Sequence, residues 1–138
     1  MIAYLDASVV LRLVLGEPGQ LAQWTTVERA VASALTEVES LRTLDRMGRR
    51  GALSVDDVAE RRGAVFRLLE ACEVVDVSRA VLRRAAEPFP TPLGTLDAIH
   101  LATALAWRDA TGDALVVATH DRELATAASA MGLTVVGA

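Results

Sequence analysis

Lysine is absent from this chain, and all fourteen of its basic residues are arginine. The absence excludes an ordinary P-loop, whose motif ends in a lysine that reaches the phosphates. It also counts against phospho-receiver domains and haloacid-dehalogenase-like phosphatases, which set a lysine beside the phosphoryl group. The latter would in addition open on D-x-D, where this chain has Asp6-Ala7-Ser8. No G-x-G-x-x-G follows the first apolar run, so dinucleotide binding has no support. Cysteine occurs once, at Cys72, which rules out an internal disulfide and reads as a small buried hydrophobe in CEVVDV. Aromatic residues make up only 4% of the chain against 52% hydrophobic residues, so the core must be built from Ala, Val and Leu. Charges interrupt every apolar run well short of the roughly 20 residues that a membrane span needs. The opening MIAYLD lacks a basic n-region, which argues against a signal peptide. A cytoplasmic protein with one core over residues 1–138 and no membrane association is expected.

Four acids stand where apolar runs stop. Asp6 ends MIAYLD, Glu39 sits in SALTEVESLRTL, Asp97 opens LDAIHLATALAW, and Asp121 follows LVVATH. A carboxylate in apolar surroundings is costly unless paired or bound to a cation. Four such placements without a lysine to neutralise them suggest a bound divalent metal. Taken singly each has a plainer reading: Asp97 as a first-turn acid favoured by the helix dipole, Asp121 as an N-cap, Asp6 as a turn residue.

Strand-like and helix-like segments alternate along the chain. Strands are predicted at 2–5, 31–33, 73–77, 114–118 and 134–136. Helices are predicted at 9–15, 19–30, 35–47, 54–69, 78–86, 96–110 and 122–131. Ser54, Ser78 and Thr95 stand as capping residues, and three prolines with Gly94 force a loop over residues 88–94. Such alternation implies parallel pairing in a sheet covered on both faces. Ligands of open parallel sheets lie beyond the carboxyl ends of the strands. Asp6 and Asp121 fall at those ends, and Glu39 and Asp97 fall in the first turns of helices that begin near the same edge. The four acids therefore converge.

Carboxylates of this kind suit Mg²⁺ or Mn²⁺, which prefer oxygen ligands and keep several waters. Such an ion lowers the pKa of a water and stabilises charge on a phosphoryl oxygen. No covalent nucleophile with a base accompanies the acids. The net charge of −4 hides a split, since seven of the arginines lie between residues 42 and 67. Arginine binds phosphate oxygens two at a time. The plain alternative is a solvated helix face.

MIAYLDASVVLRLVLGE, VASALTEVESLRTL, LGTLDAIHLATAL and VVATHDREL, in that order, resemble the successive motifs of PIN-domain ribonucleases. More closely they resemble the toxins of bacterial VapBC toxin–antitoxin pairs. The resemblance implies a three-layer α/β/α domain with a mostly parallel five-stranded sheet in the order 3-2-1-4-5. It implies a divalent-metal-dependent endoribonuclease that hydrolyses RNA with an activated water. It makes Asp6, Glu39, Asp97 and Asp121 the catalytic and metal-binding acids, with Asp121 the more peripheral. Ser8 and Thr119 match hydroxyls that support the site. Arg42, one turn beyond Glu39, would orient a carboxylate or touch substrate. Arg46, Arg49 and Arg50 would hold the RNA backbone. A homodimer and a VapB-like antitoxin are implied as partners, with the regions 9–30 and 53–69 as the antitoxin groove.

Glu37 and Glu39 lie two apart, so a helix points them in different directions. The family spacing, six residues after Ser33, favours Glu39. His100 reads either as a ligand or, preferably, as a hydrogen-bonded histidine on a packed helix. His120 reads as exposed and able to contact RNA, and Trp24 and Trp107 as packing or interface residues. Asp76, ending the third strand, imitates a receiver phosphoacceptor. The competing class is a non-catalytic RNA- or protein-binding module on the same fold.

Overall fold

The first strand, β1 (Ile2–Leu5), is nearly all apolar, with Ala3, Tyr4 and Leu5 fully buried in the computed structural model, which describes residues 1–138. A strand with both faces covered must lie in the middle of a sheet. It does: five strands run in the order β3-β2-β1-β4-β5 and every pairing is parallel. The others are β2 (Arg29–Ser33), β3 (Glu73–Val75), β4 (Val116–Ala118) and β5 (Thr134–Val136). Order and direction match those implied by the resemblance.

Six helices cover the sheet: α1 (Ala7–Leu15), α2 (Ala34–Arg49), α3 (Val55–Glu70), α4 (Arg79–Ala85), α5 (Thr95–Thr111) and α6 (Arg122–Ala130). Strand alternation sorts the core into two layers. Tyr4, Val31 and Val117, which share a register position, pack with Leu101, Leu105 and Trp107 of α5 and Leu124 of α6. Ala3, Leu5, Ala32 and Ala118 face the other way, against Val9 and Val10 of α1, Leu44 of α2 and Val65 of α3. Alanine on that face lets helices lie close to the sheet, as the paucity of aromatics required.

Side chains fix several helix starts. Asp6, Ser33, Ser54, Ser78 and Asp121 each accept a backbone N–H in the first turn of the helix that follows. Three expectations fail here. Thr95 is no cap; Gly94 occupies that position without a side-chain acceptor, and Thr95 is the first helical residue. The helix predicted over 19–30 reduces to a single 3₁₀ turn, Trp24–Thr26. Gly19 at φ +80° and the β-branched run Thr25, Thr26, Val27 disfavour a helix locally. Arg29 and Ala30 instead pair with Ile2 and Ala3, extending β2 backwards. The third strand stops at Val75 because its partner Ser33 ends β2, leaving residues 76 and 77 no ladder to join. Asp76 therefore lies beyond the sheet.

Two glycines adopt positive φ just after elements end. Gly16 ends α1 at φ +66°, with open space where a Cβ would project. Gly137, at φ +95°, follows β5; a Cβ there would sit 2.8 Å from the Thr119 carbonyl oxygen and 3.0 Å from Leu21. Gly16→Ala is expected to cost about 1–2 kcal/mol, the left-handed strain alone. Gly137→Ala adds a backbone clash and is expected to cost about 2–4 kcal/mol. Urea denaturation of the two variants checks the difference, and equal losses would contradict it.

Candidate active site

Asp6 follows β1 and caps α1. It is 4% exposed, yet four donors reach it. Oδ1 accepts from the Ser8 N–H at 2.9 Å, the Val9 N–H at 3.2 Å and the Ser8 hydroxyl at 2.5 Å. Oδ2 accepts from the Thr119 hydroxyl at 2.6 Å. Both hydroxyl oxygens are used twice. Ser8 Oγ accepts from the His120 N–H at 2.9 Å, and Thr119 Oγ1 accepts from the Asp121 N–H at 2.9 Å. One carboxylate thus clasps the end of β1 to the loop that follows β4.

Asp121 caps α6 through Oδ1, which accepts from the N–H groups of Glu123 and Leu124. Its Oδ2 makes no hydrogen bond within the protein. Asp97 lies in the first turn of α5, half-buried, and neither of its oxygens has a protein donor. Its carboxyl is raised from 3.8 to about 6, first by burial and then by the charges of Asp121 and Asp6; Glu39 adds to the rise and His100 opposes it. Asp121, Asp6 and Glu39 thus lie near enough to Asp97 for their charges to act on it.

Glu39 lies in the second turn of α2, one turn later than expected. Its Oε1 is 2.5 Å from His100 Nε2, and His100 Nδ1 is 2.6 Å from the Tyr4 hydroxyl. Tyr4 and His100 are buried, and the Tyr4 hydroxyl is held well above its ordinary value by burial, then by the charges of Asp6 and Glu39. Glu37 makes no side-chain hydrogen bond. His100 is the hydrogen-bonded core histidine of the preferred reading. Its partnership with Tyr4 and Glu39 was missed. The available signals were a tyrosine two residues before Asp6 and a histidine one turn after Asp97. His120 is half-buried rather than exposed, and its Nδ1 lies 2.8 Å from the Gly137 carbonyl.

The oxygen-only donor set fits a hard divalent cation. No three acid, histidine or cysteine side chains close on one point as a ready-made cage. The arrangement suits Mg²⁺-like binding, in which one or two carboxylates bind directly and waters complete the shell. Asp6, Asp97, Glu39 and Asp121 are the groups able to supply those oxygens.

A groove of about 440 Å³ adjoins the acids, since Ser8 and Glu39 help to line it. Leu11 of α1, Leu35 and Val38 of α2 and Leu96 of α5 make it apolar, and Arg42 and Arg46 add positive charge. It is built from α1, α2 and the start of α5. The helix α3, expected to contribute, instead buries Val65 and Leu69 in the core. Arg42 does not orient Glu39. Its guanidinium lies 3.1 Å from Asp45, which Arg49 also meets at 3.0 Å, and the two arginines hold the Asp45 carboxyl below its ordinary value. Arg46 donates to the Thr43 hydroxyl and has no acidic partner, and neither has Arg50. Trp107 packs in the core layer under α5 and α6, as expected, and Trp24 lies half-buried against the opposite layer.

Residues 3–130 match the family model described as PIN domain. Among curated proteins, Ribonuclease VapC35 of Mycobacterium tuberculosis is 39% identical, over 96% of this chain and 94% of that protein. Among solved structures, FitAcB from Neisseria gonorrhoeae superposes with a TM-score of 0.69 at 19% identity, over 98% of this chain and 96% of that one. A toxin–antitoxin complex from Klebsiella pneumoniae superposes at 0.65 with 17% identity, over 89% and 90%. At these identities the structural likeness concerns the fold.

A carboxyl raised from 3.8 to about 6 binds its proton more tightly in the folded chain than in the unfolded one. The stability this confers is complete below 3.8 and is lost as pH rises through about 6. In chelator, Asp97→Asn is therefore expected to melt near wild type at about pH 4 and above it at about pH 7.5. Thermal melts at both values check the sign; a wild type more stable than Asp97→Asn at the higher pH would contradict it.

Proposed function

The chain belongs to the PIN-domain family, and from that premise we propose that it is a divalent-metal-dependent endoribonuclease, the toxin of a VapBC-type pair. The observation that carries this reading is the convergence of Asp6, Glu39, Asp97 and Asp121 at the carboxyl edge of the sheet. Near-full-length likeness to a protein named as a ribonuclease supports it. PIN-domain ribonucleases generally depend on a divalent metal, and we assign Mg²⁺ or Mn²⁺ here.

When bound, such an ion supplies a more acidic water and positive charge for the scissile phosphate. The chain's own residues do the rest. Ser8 and Thr119 hold Asp6 in one orientation. Glu39 is held from behind by His100. Asp97 and the free oxygen of Asp121 face the cluster without protein donors, and so remain available to a cation and its waters. Crowded carboxylates repel one another, so the site is most stable when a cation offsets them. Nothing in the cluster forms a covalent intermediate.

Arg42, Arg46, Arg49 and Arg50 line one side of α2 and its end, and we assign them to the RNA backbone, where contacts add affinity rather than sequence choice. The apolar groove beside the acids, with its two arginines, fits a segment of a VapB-like antitoxin that carries apolar anchors and acidic groups. That assignment follows the solved toxin–antitoxin complex from Klebsiella pneumoniae. A homodimer, cytoplasmic location and action of residues 1–138 as one domain complete the proposal. No helix is long and apolar enough to cross a membrane.

Purified wild type should cut cellular RNA into discrete products with Mg²⁺ or Mn²⁺ and not with chelator. Asp97→Asn should lose this cleavage while remaining folded by circular dichroism. Intact RNA with folded, antitoxin-free wild type and either metal would replace this reading with a non-catalytic binding module. Arg46 has no acid to neutralise it. Arg46→Ala is therefore expected to weaken RNA binding and to lower the slope of log affinity against log salt by about one. An unchanged slope in a filter-binding series would remove Arg46 from the RNA surface.

A further inference from the structure

Tyr4, His100 and Glu39 form a hydrogen-bonded chain that runs from the core to the acid cluster. Each member sits on a different element, and each of those elements also carries one of the converging acids. Tyr4 is on β1, two residues before Asp6. His100 is on α5, one turn after Asp97. Glu39 is itself the acid of α2.

The direction of the chain follows from its chemistry. A tyrosine hydroxyl keeps its proton at neutral pH. Fully buried, Tyr4 Oη lies 2.6 Å from His100 Nδ1, with the Thr103 and Ser33 hydroxyls also within its reach. At the other link the direction is fixed, because a carboxylate only accepts. His100 Nε2, 2.5 Å from Glu39 Oε1, therefore carries a proton and donates to the carboxylate. The two rings meet edge to face, 5.9 Å apart at 69°, so Tyr4 also limits rotation of the imidazole. Glu39 Oε2 is left without a protein partner.

We infer that Tyr4 and His100 are positioning residues: they hold Glu39 by one oxygen, reserve the other for a divalent cation, and set the spacing of the acids on β1, α2 and α5. The inference rests on the reading of the acid cluster as a metal site. It concerns how Glu39 is aimed, not whether His100 touches substrate.

Glutamine is the discriminating substitution at position 100, because its carboxamide offers an acceptor to Tyr4 and a donor to Glu39. Leucine keeps the volume and removes both. Pairing it with Tyr4→Phe avoids stranding the phenol. The full chain would be titrated with Mn²⁺ alone by calorimetry, as wild type, His100→Gln and Tyr4→Phe/His100→Leu, with melting temperatures recorded. The double variant is expected to bind Mn²⁺ about 10- to 100-fold more weakly, the usual loss when a group orienting a metal ligand is removed. His100→Gln should recover most of that affinity. A role in packing alone would make leucine the better replacement. Nitrogen-15 NMR of the histidine rings should find a proton on His100 Nε2, and Tyr4→Phe should move the Nδ1 signal. Equal Mn²⁺ affinity in all three proteins, or a His100 ring without a proton on Nε2, would overturn the inference. A wild type that binds no Mn²⁺ would instead overturn the metal-site reading, so the two failures differ.

Discussion

A carboxylate buried at the end of a central strand needs donors, and Asp6 finds four of them. Two come from the helix that Asp6 itself starts, one from Ser8 in that helix, and one from Thr119 across the sheet. Because Ser8 and Thr119 also accept from the backbone of residues 120 and 121, the same contacts that satisfy Asp6 shape the turn that presents Asp121. The position of the rest of the site depends on this clasp. Gly137 belongs to it as well, since only a residue without a side chain lets the chain after β5 pass so near the Thr119 carbonyl.

The remaining acids are treated differently. Glu39 has one donor, Asp121 spends one oxygen on its helix, and Asp97 has none. Burial with neighbouring negative charge pushes the Asp97 carboxyl to about 6. A cluster satisfied on one side and strained on the other is what a cation with a partly watery shell requires. On α2 the arginines divide. Asp45 neutralises Arg42 and Arg49, leaving Arg46 beside the groove and Arg50 at the helix end as cations without an acid. Exposed pairs of this sort contribute little to stability. Their effect is to decide which positive charges face solvent and ligand.

Much of this was legible in the chain. Alternating apolar runs and helical spacings located all five strands and six of the seven expected helices, because β1 and α5 are patterned strongly by burial. The exception, residues 19–30, shows where local pattern fails. The fate of Arg29 and Ala30 was decided by β1, which offered ladder partners that no window along the chain contains. Thr95 looked like a cap because of its type, yet the chain entered the helix one residue earlier, at Gly94. Asp6, Glu39, Asp97 and Asp121 were visible as acids that end apolar runs. Tyr4 and His100 looked like packing, since nothing in a linear pattern shows that a strand tyrosine and a helix histidine meet 96 residues apart.

By itself, then, the sequence determined the alternation of strand and helix, the two-sided burial of β1, the composition of the core and the four acids. Each of these follows from periodicity or from the cost of burying a polar group, which are local properties. Tertiary structure alone decided which oxygen of each acid is occupied, which arginines are left without an acid, that the groove runs along α1 and α2, and that Glu39 is held through His100 by Tyr4. Those are matters of hydrogen-bond direction and distance between groups far apart in the chain, and they exist only once the parallel sheet has brought β1, α2 and α5 to a common edge.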